Sequence, residues 1–267
     1  MALPPDVHAD AARRRSPRKP LVLIPVGAED ISRRRRWIAQ WGLAILALGA
    51  GGIGLLYKRT LDPLHALESY EAGVRLLGVA HYNQAALEFD RAVGLKPDFA
   101  DAYLMRGKAY AGESRTDEAI SDFTRAIELR AADPRAWVAR AAAFLDLKRF
   151  PLAIEDANHA LELDARLAAA YNLRGLAERG LGDARRALAD FDRAVDLQPD
   201  EDNLFQRGAT YQSLAEHARA IADLDRVIAL RPDAPSGYLA RAESRRAIGD
   251  FDGAQADQLR AREIEGR

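Results

Sequence analysis

Residues 168–200 read AAAYNLRGLAERGLGDARRALADFDRAVDLQPD and contain two stretches of about 12–14 residues with apolar side chains at helical spacing. The dipeptide Gly182-Asp183 separates the two stretches and is typical of a tight turn. We therefore predict two short helices, with Gly175 and Ala187 as small residues that allow them to approach closely. One such hairpin cannot cover its own apolar face, so it needs neighbours of the same kind.

The same pattern recurs along the chain at intervals of 33 or 34 residues. The small residues of the first helices are Gly73, Gly107, Ala141, Gly175, Gly208 and Ala242. The second helices share an alanine column at Ala85, Ala119, Ala153, Ala187, Ala220 and Ala254. They also share a mostly bulky column at Phe89, Phe123, Ala157, Phe191, Leu224 and Gln258. Such periodicity within one chain predicts an all-α array of stacked hairpins.

These columns, with proline closing three of the copies, resemble the tetratricopeptide repeat (TPR). The resemblance covers residues 66–267, with repeats at about 66–99, 100–133, 134–167, 168–200, 201–234 and 235–267. It implies a right-handed superhelical solenoid of six helical hairpins, whose first helices line a concave face that binds proteins or peptide segments. In the sixth copy Arg245 and Gln258 are polar where a further repeat would favour apolar residues, so we expect an end that caps itself.

By this resemblance, two columns of the first helices face the concave groove and form an apolar stripe with polar breaks. The expected protein-binding residues are Tyr70, Val74, Leu104, Lys108, Val138, Asn172, Leu176, Phe205, Leu239 and Glu243. An extended or helical apolar segment would suit this stripe. The alternative is that these side chains pack against neighbouring repeats. No copy carries the lysine and asparagine, one turn apart, with which some family members bind a C-terminal carboxylate.

Charged residues also repeat. Arginine precedes the small residue in five copies, at Arg106, Arg140, Arg174, Arg207 and Arg241. An acid precedes the bulky column at Glu88, Asp122, Asp156, Asp190, Asp223 and Asp257. The copy that lacks the arginine, with Ala72 in its place, is also the one with Glu88 instead of aspartate. We therefore predict a ladder of structural ion pairs rather than a row of anion-binding arginines.

The segment 37–57, WIAQWGLAILALGAGGIGLLY, has no charged residue and is long enough to cross a bilayer as one helix. Residues 1–36 carry a net charge of +5, whereas residues 60–267 carry −8. More basic residues precede the span than follow it. We therefore expect a basic, disordered cytoplasmic tail, one transmembrane helix, a linker at 58–65 and repeats outside the cytoplasm, in the periplasm if the cell is bacterial.

Two alternatives concern the same segment. Cleavage of a signal peptide near Ala47-Leu48-Gly49 would release a secreted soluble repeat protein. The G-x-G-x-x-G of residues 49–54 lacks the strand–helix–strand context of a dinucleotide site, so its small residues fit helix packing in a membrane better. The same small residues could also form a contact between the membrane helices of a homo-oligomer.

The composition argues against several chemistries. The chain has no cysteine, which excludes disulfides, cysteine-ligated zinc and thiol catalysis. The five histidines lack metal-ligand spacing and the carboxylates recur at equivalent repeat positions, so we expect no catalytic, cofactor or metal site. The acidic repeat region opposes nucleic-acid binding. These features favour a non-enzymatic, membrane-anchored scaffold or adaptor, with a regulatory accessory subunit of an envelope enzyme complex as the alternative.

Overall fold

The computed structural model describes residues 50–266, with side-chain surroundings from residue 61 onward. These residues form α-helices joined by short turns, which confirms the all-α prediction. The helices are α1 (Ala50–Gly78), α2 (Tyr82–Leu95), α3 (Ala100–Gly112), α4 (Thr116–Leu129), α5 (Pro134–Asp146), α6 (Phe150–Leu163), α7 (Ala168–Gly180), α8 (Ala184–Leu197), α9 (Glu201–Ser213), α10 (His217–Leu230), α11 (Pro235–Ala247) and α12 (Phe251–Glu265).

The N-terminal expectations fall largely outside this region. The expected cytoplasmic tail, 1–36, and residues 37–49 of the expected membrane helix lie outside the described residues. The expected linker, 58–65, is helical instead, because α1 continues to Gly78 with Pro63 inside it. A proline removes one backbone hydrogen bond, but a helix can continue past it. Among residues 50–266, no helix combines the length and apolar character needed to cross a membrane.

Residues Thr60–Arg267 form one compact unit in which the hairpins follow one another in chain order. Within it, each first helix from α3 to α9 also contacts the next first helix. Successive second helices make no comparable contact in the part of the chain that the structure describes. Because the first helices lie closer together, they line the inner surface of the array and the second helices line its outer surface.

The small column packs directly against the bulky column of the same hairpin. A Cβ atom placed on Gly107 would lie only 2.6 Å from the Phe123 ring, so glycine is needed for the two helices to approach this closely. In the third hairpin Ala141 and Ala157 are both fully buried. Two alanines thus replace the glycine and the ring without opening that hairpin to solvent.

The six hairpin turns share one backbone geometry. Each first helix ends in the paired hydrogen bonds of a Schellman motif, as where the Arg115 N–H donates to the Tyr110 carbonyl at 2.9 Å. The residue with positive φ in each turn is Ala80, Ser114, Lys148, Gly182, Ala215 or Gly249. Only two of these residues are glycine, which adopts such a φ at little cost. This is why the sequence indicated the turn clearly in only two copies.

Of the two polar residues that we expected to cap the sixth hairpin, only one lies at its open surface. The Arg245 Nη1 donates to Asp257 at 2.8 Å and to the Gly253 carbonyl at 3.2 Å, both within the same hairpin. Gln258 is half-buried and lines a surface cavity on α12. Arg245 is therefore used within its own hairpin, whereas Gln258 lies at the open surface of the hairpin.

Candidate protein-binding surface

One of the two predicted groove columns lies on the accessible side of the first helices. Val74, Lys108 and Glu243 are exposed, and Leu176 is half-buried. The first helices line the inner surface of the array, so a ligand on that surface can reach these four side chains. Although its side chain is exposed, the surrounding protein and the nearby Arg135 guanidinium lower the pKa of Lys108.

The other predicted column lies partly in the core. Leu104 is only 1% exposed and packs in a cluster with Phe123 and residues of the next hairpin, so its assignment to the groove was wrong. Tyr70 packs against Phe89 and Phe99, with ring centroids 5.8 Å and 4.9 Å apart respectively. Burial raises the pKa of the Tyr70 hydroxyl. At these positions the alternative that we considered, packing between repeats, describes the structure better.

The same column becomes more accessible toward the C-terminal hairpins. Val138 and Phe205 are half-buried, and Phe205 packs on a cluster formed by Val195, Leu204 and Val227. Leu239, by contrast, is 42% exposed. The solvent exposure of this column therefore differs between hairpins, and its most exposed large apolar side chain lies in the sixth.

A polar notch lies between α7 and α9, and we call it the Asn172 notch. The Asn172 side-chain amide donates to the Asn203 Oδ1 at 2.7 Å, and the Asn203 amide donates to the Gln198 carbonyl at 2.9 Å. Beside them is a cavity of about 240 Å³, also lined by Leu173 and Asp202. A side-chain amide carries both a donor and an acceptor, as a peptide group does. The notch is therefore suited to contact the backbone of a bound segment.

The sequence analysis missed Asn203 because it lies outside the two predicted columns. Its equivalents in the second, third, fourth and sixth copies are Ala102, Ala136, Ala170 and Gly237. A single amide in a column of small residues was a signal that could have identified it.

Fixed charges lie at separate points along the first helices. Arg135 donates to Asp101 at 2.7 Å and so joins α5 to α3 near Lys108. Glu243 stands on α11 in the sixth hairpin. Within the described side chains, no group of three or more histidines or carboxylates could hold a metal ion. The inner surface therefore has a basic lysine near one end, an acid near the other and mostly apolar side chains between.

The predicted ladder of ion pairs is confirmed. The Arg174 Nε and Nη2 each donate to one carboxylate oxygen of Asp190 at 2.7 Å, and this pairing raises the pKa of Arg174. The other pairs with the same two-bond geometry are Arg106–Asp122, Arg140–Asp156, Arg207–Asp223 and Arg241–Asp257. The aspartates are buried, so each pair fixes the two helices of one hairpin together.

The remaining arginine nitrogen connects consecutive hairpins, a role that the sequence analysis missed. The Arg174 Nη1 donates to the Asn158 Oδ1 of the preceding hairpin at 2.6 Å. The equivalent acceptors, two residues after each acid, are Asp90, Thr124, Asp192 and Asp225. Aspartate, threonine and asparagine do not form an obvious sequence column, although each supplies an oxygen. The arginines are therefore structural, and this row offers no free anion site.

Sequence models described as tetratricopeptide repeat match much of the chain. One model matches residues 70–134 and 104–168, and another matches residues 168–201 and 202–234. Together the matched residues make up more than half of the sequence. No curated protein matches this chain.

Several solved structures share the fold. The pilF protein of Pseudomonas aeruginosa superposes with a TM-score of 0.68 at 15% identity, over 76% of this chain and 93% of its own. TTC0263, a thermophilic TPR protein of Thermus thermophilus, gives 0.57 at 18% identity, over 68% and 98%. YrrB, described as a TPR protein with an unusual peptide-binding site, gives 0.53 at 21% identity, over 69% and 94%. At these identities the similarity shows the fold.

Proposed function

We propose, from the premise that this chain belongs to the tetratricopeptide repeat family, that it is a scaffold that binds an apolar segment of another protein along its inner surface. The observation that carries the proposal is that both groove columns of the first helices present aliphatic side chains to solvent, namely Val74 and the half-buried Leu176 in one and Leu239 in the other. The peptide-binding site described for YrrB, on the same fold, supports it. The scaffold acts without catalysis, since the repeated arginines and aspartates already pair with one another.

The bound segment is expected to combine two features. Apolar side chains would cover the row of accessible aliphatic residues, and its backbone would pair with the Asn172 notch. An acid near Lys108 and a base near Glu243 would set its direction, because complementary charges favour one orientation over the reverse.

The test uses the full chain and a phage-displayed library of random 12-residue peptides, followed by affinity measurements on synthetic copies of the selected peptides. We expect selected peptides to be rich in apolar residues. Leu239→Asp should weaken their binding at least tenfold, because it places a charge where apolar surface is buried. The matched control is Leu152→Asp, on the outer helix α6, where the side chain is 41% exposed.

The two variants distinguish binding in the groove from non-specific binding to exposed apolar side chains. Peptide affinity should be unchanged in Leu152→Asp. Equal losses in both variants, or a library from which no binder is selected, would contradict binding on the inner surface. Leu104 is unsuitable for this test because its burial would make a charge there disrupt the fold.

We also propose that residues 37–57 hold the repeats at a membrane, with the N-terminus in the cytoplasm and the repeats on the far side. The support is the uncharged span and the basic residues that precede it. Because the chain has no cysteine, Ser121→Cys on α4 introduces a single exposed thiol. A membrane-impermeant maleimide should label it in intact cells that produce the full chain. Labelling only after lysis would contradict this orientation, and a mature mass lacking the first 49 or so residues would favour the secreted form.

A further inference from the structure

The contact between consecutive hairpins, which we call the seam, joins the second helix of one hairpin to the first helix of the next. In two of the five internal seams, an aromatic ring lies against a glycine. A Cβ atom on Gly112 would lie 2.6 Å from the Tyr82 ring of the preceding hairpin, and one on Gly180 would lie 2.5 Å from Phe150. At both places the ring occupies the space that any side chain on the glycine would need.

The two ends of the described array carry the two halves of this contact. Phe251 begins α12 at the position equivalent to Tyr82 and Phe150, and it is 67% exposed. Gly78 ends α1 at the position equivalent to Gly112 and Gly180, and no atom of the described chain lies within 4 Å of a Cβ placed there. One end therefore has an aromatic ring that contacts no glycine, and the other has a glycine that no ring covers.

At the two ends of the array, apolar residues replace both the arginine and the oxygen acceptor that pair in the internal seams. Where the preceding hairpins supply an oxygen acceptor, the sixth hairpin has Leu259, which is 52% exposed. Where the following hairpins supply the arginine, the first hairpin has Ala72. At this position the polar pair of every internal seam thus corresponds to an apolar pair between the two ends, so a junction would leave neither an arginine nor its acceptor unpaired here.

A third seam position is complementary in charge. In four of the five internal seams it joins an apolar residue to a small one, as where a Cβ on Gly237 would lie 3.0 Å from the Ile228 side chain. The equivalent residues at the two ends are Arg262 on α12 and Glu68 on α1. Opposite charges at this position would favour the joining of the two ends.

We propose that copies of this chain stack head to tail, with α12 of one copy packing on α1 of the next as a second helix packs on a first helix inside the array. The Phe251 ring would pack on Gly78, Leu259 would contact Ala72, and Arg262 would form an ion pair with Glu68. A cavity of about 340 Å³ on α12, lined by Phe251, Leu259 and Arg262 among others, would be filled by the arriving helix. Because the two surfaces differ, such contacts build open rows or closed rings rather than two-fold dimers.

Sedimentation velocity of the full chain in a mild detergent, over a range of protein concentrations, tests the stacking. We expect the wild type to associate as concentration rises. Gly78→Leu should raise the dissociation constant for self-association at least tenfold, because the leucine would occupy the space that the Phe251 ring of another copy needs. It should leave the fold intact, since no side chain or backbone atom of the described residues lies close to this position. Gly94→Leu is the matched control, a helical glycine with equally open surroundings but outside the seam.

Disulfide trapping tests the register. In the internal seam, the short distance from a Cβ on Gly237 to the Ile228 side chain places this position near the roughly 3.5–4.5 Å that a disulfide requires between Cβ atoms. A mixture of Glu68→Cys and Arg262→Cys chains should therefore form a disulfide-linked dimer under mild oxidation. Glu68→Cys mixed with Glu263→Cys should form much less, because the neighbouring residue on α12 points in another direction.

Three outcomes would overturn the stacking proposal. They are a wild type that stays monomeric at every concentration, association that is equally strong in Gly78→Leu, and cross-linking that is no greater for Arg262→Cys than for Glu263→Cys. Lys108→Glu changes an exposed side chain of the inner surface in the second hairpin, away from both ends. It should associate as the wild type does, so the stacking proposal and the groove proposal can fail independently.

Discussion

Replacing Asp190 with alanine is expected to lower the free energy of unfolding by about 3 kcal/mol, because it removes the buried partner of a charged group. Asp190 is buried and accepts two hydrogen bonds from Arg174, both at 2.7 Å. Without the carboxylate, the half-buried guanidinium would keep only its bond to Asn158. The loss should appear as a lower urea midpoint of the helical circular dichroism signal of the full chain.

The first hairpin offers a control for this prediction. Glu88 occupies the same column as Asp190, but its partner is Arg91, one turn away on the same helix at 2.6 Å. Because such exposed pairs contribute well under 1 kcal/mol, Glu88→Ala should hardly move the midpoint. Equal effects of Glu88→Ala and Asp190→Ala would mean that the buried ladder is not a main source of stability.

A second variant separates the two roles of the arginine. Asn158→Ala removes only the bond that connects the fourth hairpin to the third and leaves the Arg174–Asp190 pair intact. A loss of about 1 kcal/mol is expected for a single hydrogen bond of this kind. Stability in repeat arrays is a sum of terms within and between repeats, so this smaller loss would measure the coupling between hairpins.

Gly107→Ala is expected to destabilise the protein by about 1–3 kcal/mol through overpacking. The new methyl group would lie 2.6 Å from the Phe123 ring and 3.2 Å from the Ala119 carbonyl oxygen. The ring is buried and the carbonyl belongs to the backbone, so neither can move away easily. Thermal unfolding of the variant and the wild type under identical conditions measures the effect.

Gly208→Ala is the matched substitution in the fifth hairpin, where the bulky residue is Leu224. The added methyl group would lie 3.4 Å from the nearest Leu224 atom, which is an ordinary contact. Since alanine favours helices over glycine by up to about 1 kcal/mol, Gly208→Ala should be neutral or stabilising. Destabilisation equal to that of Gly107→Ala would show that contact with the ring is not the cause.

Rescue provides a further check on the same contact. Phe123→Leu alone should destabilise the second hairpin, because it removes buried ring atoms. In the Gly107→Ala background it should cost less, because it also removes the clash, so the two effects should not add. Strictly additive losses would contradict direct contact between these positions.

Much of the fold followed from the sequence because the repeat copies act as independent observations of one unit. The spacing of small and bulky residues predicted two helices per copy, and the Arg174–Asp190 column pair predicted the ladder that the structure contains. Two details could not be predicted. Four hairpin turns use residues other than glycine at positive φ, as at Lys148, and the expected linker at 58–65 is helical. A helix that continues through Pro63 leaves no clear boundary in the sequence.

The sequence by itself determined that the chain consists of stacked bihelical units, because residues three and four apart on a helix share a face and their columns repeat. Only the tertiary structure decided what each face meets. Leu104 and Leu239 occupy the same column, yet one is buried between hairpins and the other is accessible. An apolar face is stabilised by any apolar neighbour, so the sequence pattern predicts that the face is buried but not which helix covers it. The presence of a neighbouring hairpin makes that choice: the next hairpin covers Leu104, whereas Leu239 lies in the last hairpin of the described array. Phe251 and Gly78 are open for the same reason, at the two ends of that array.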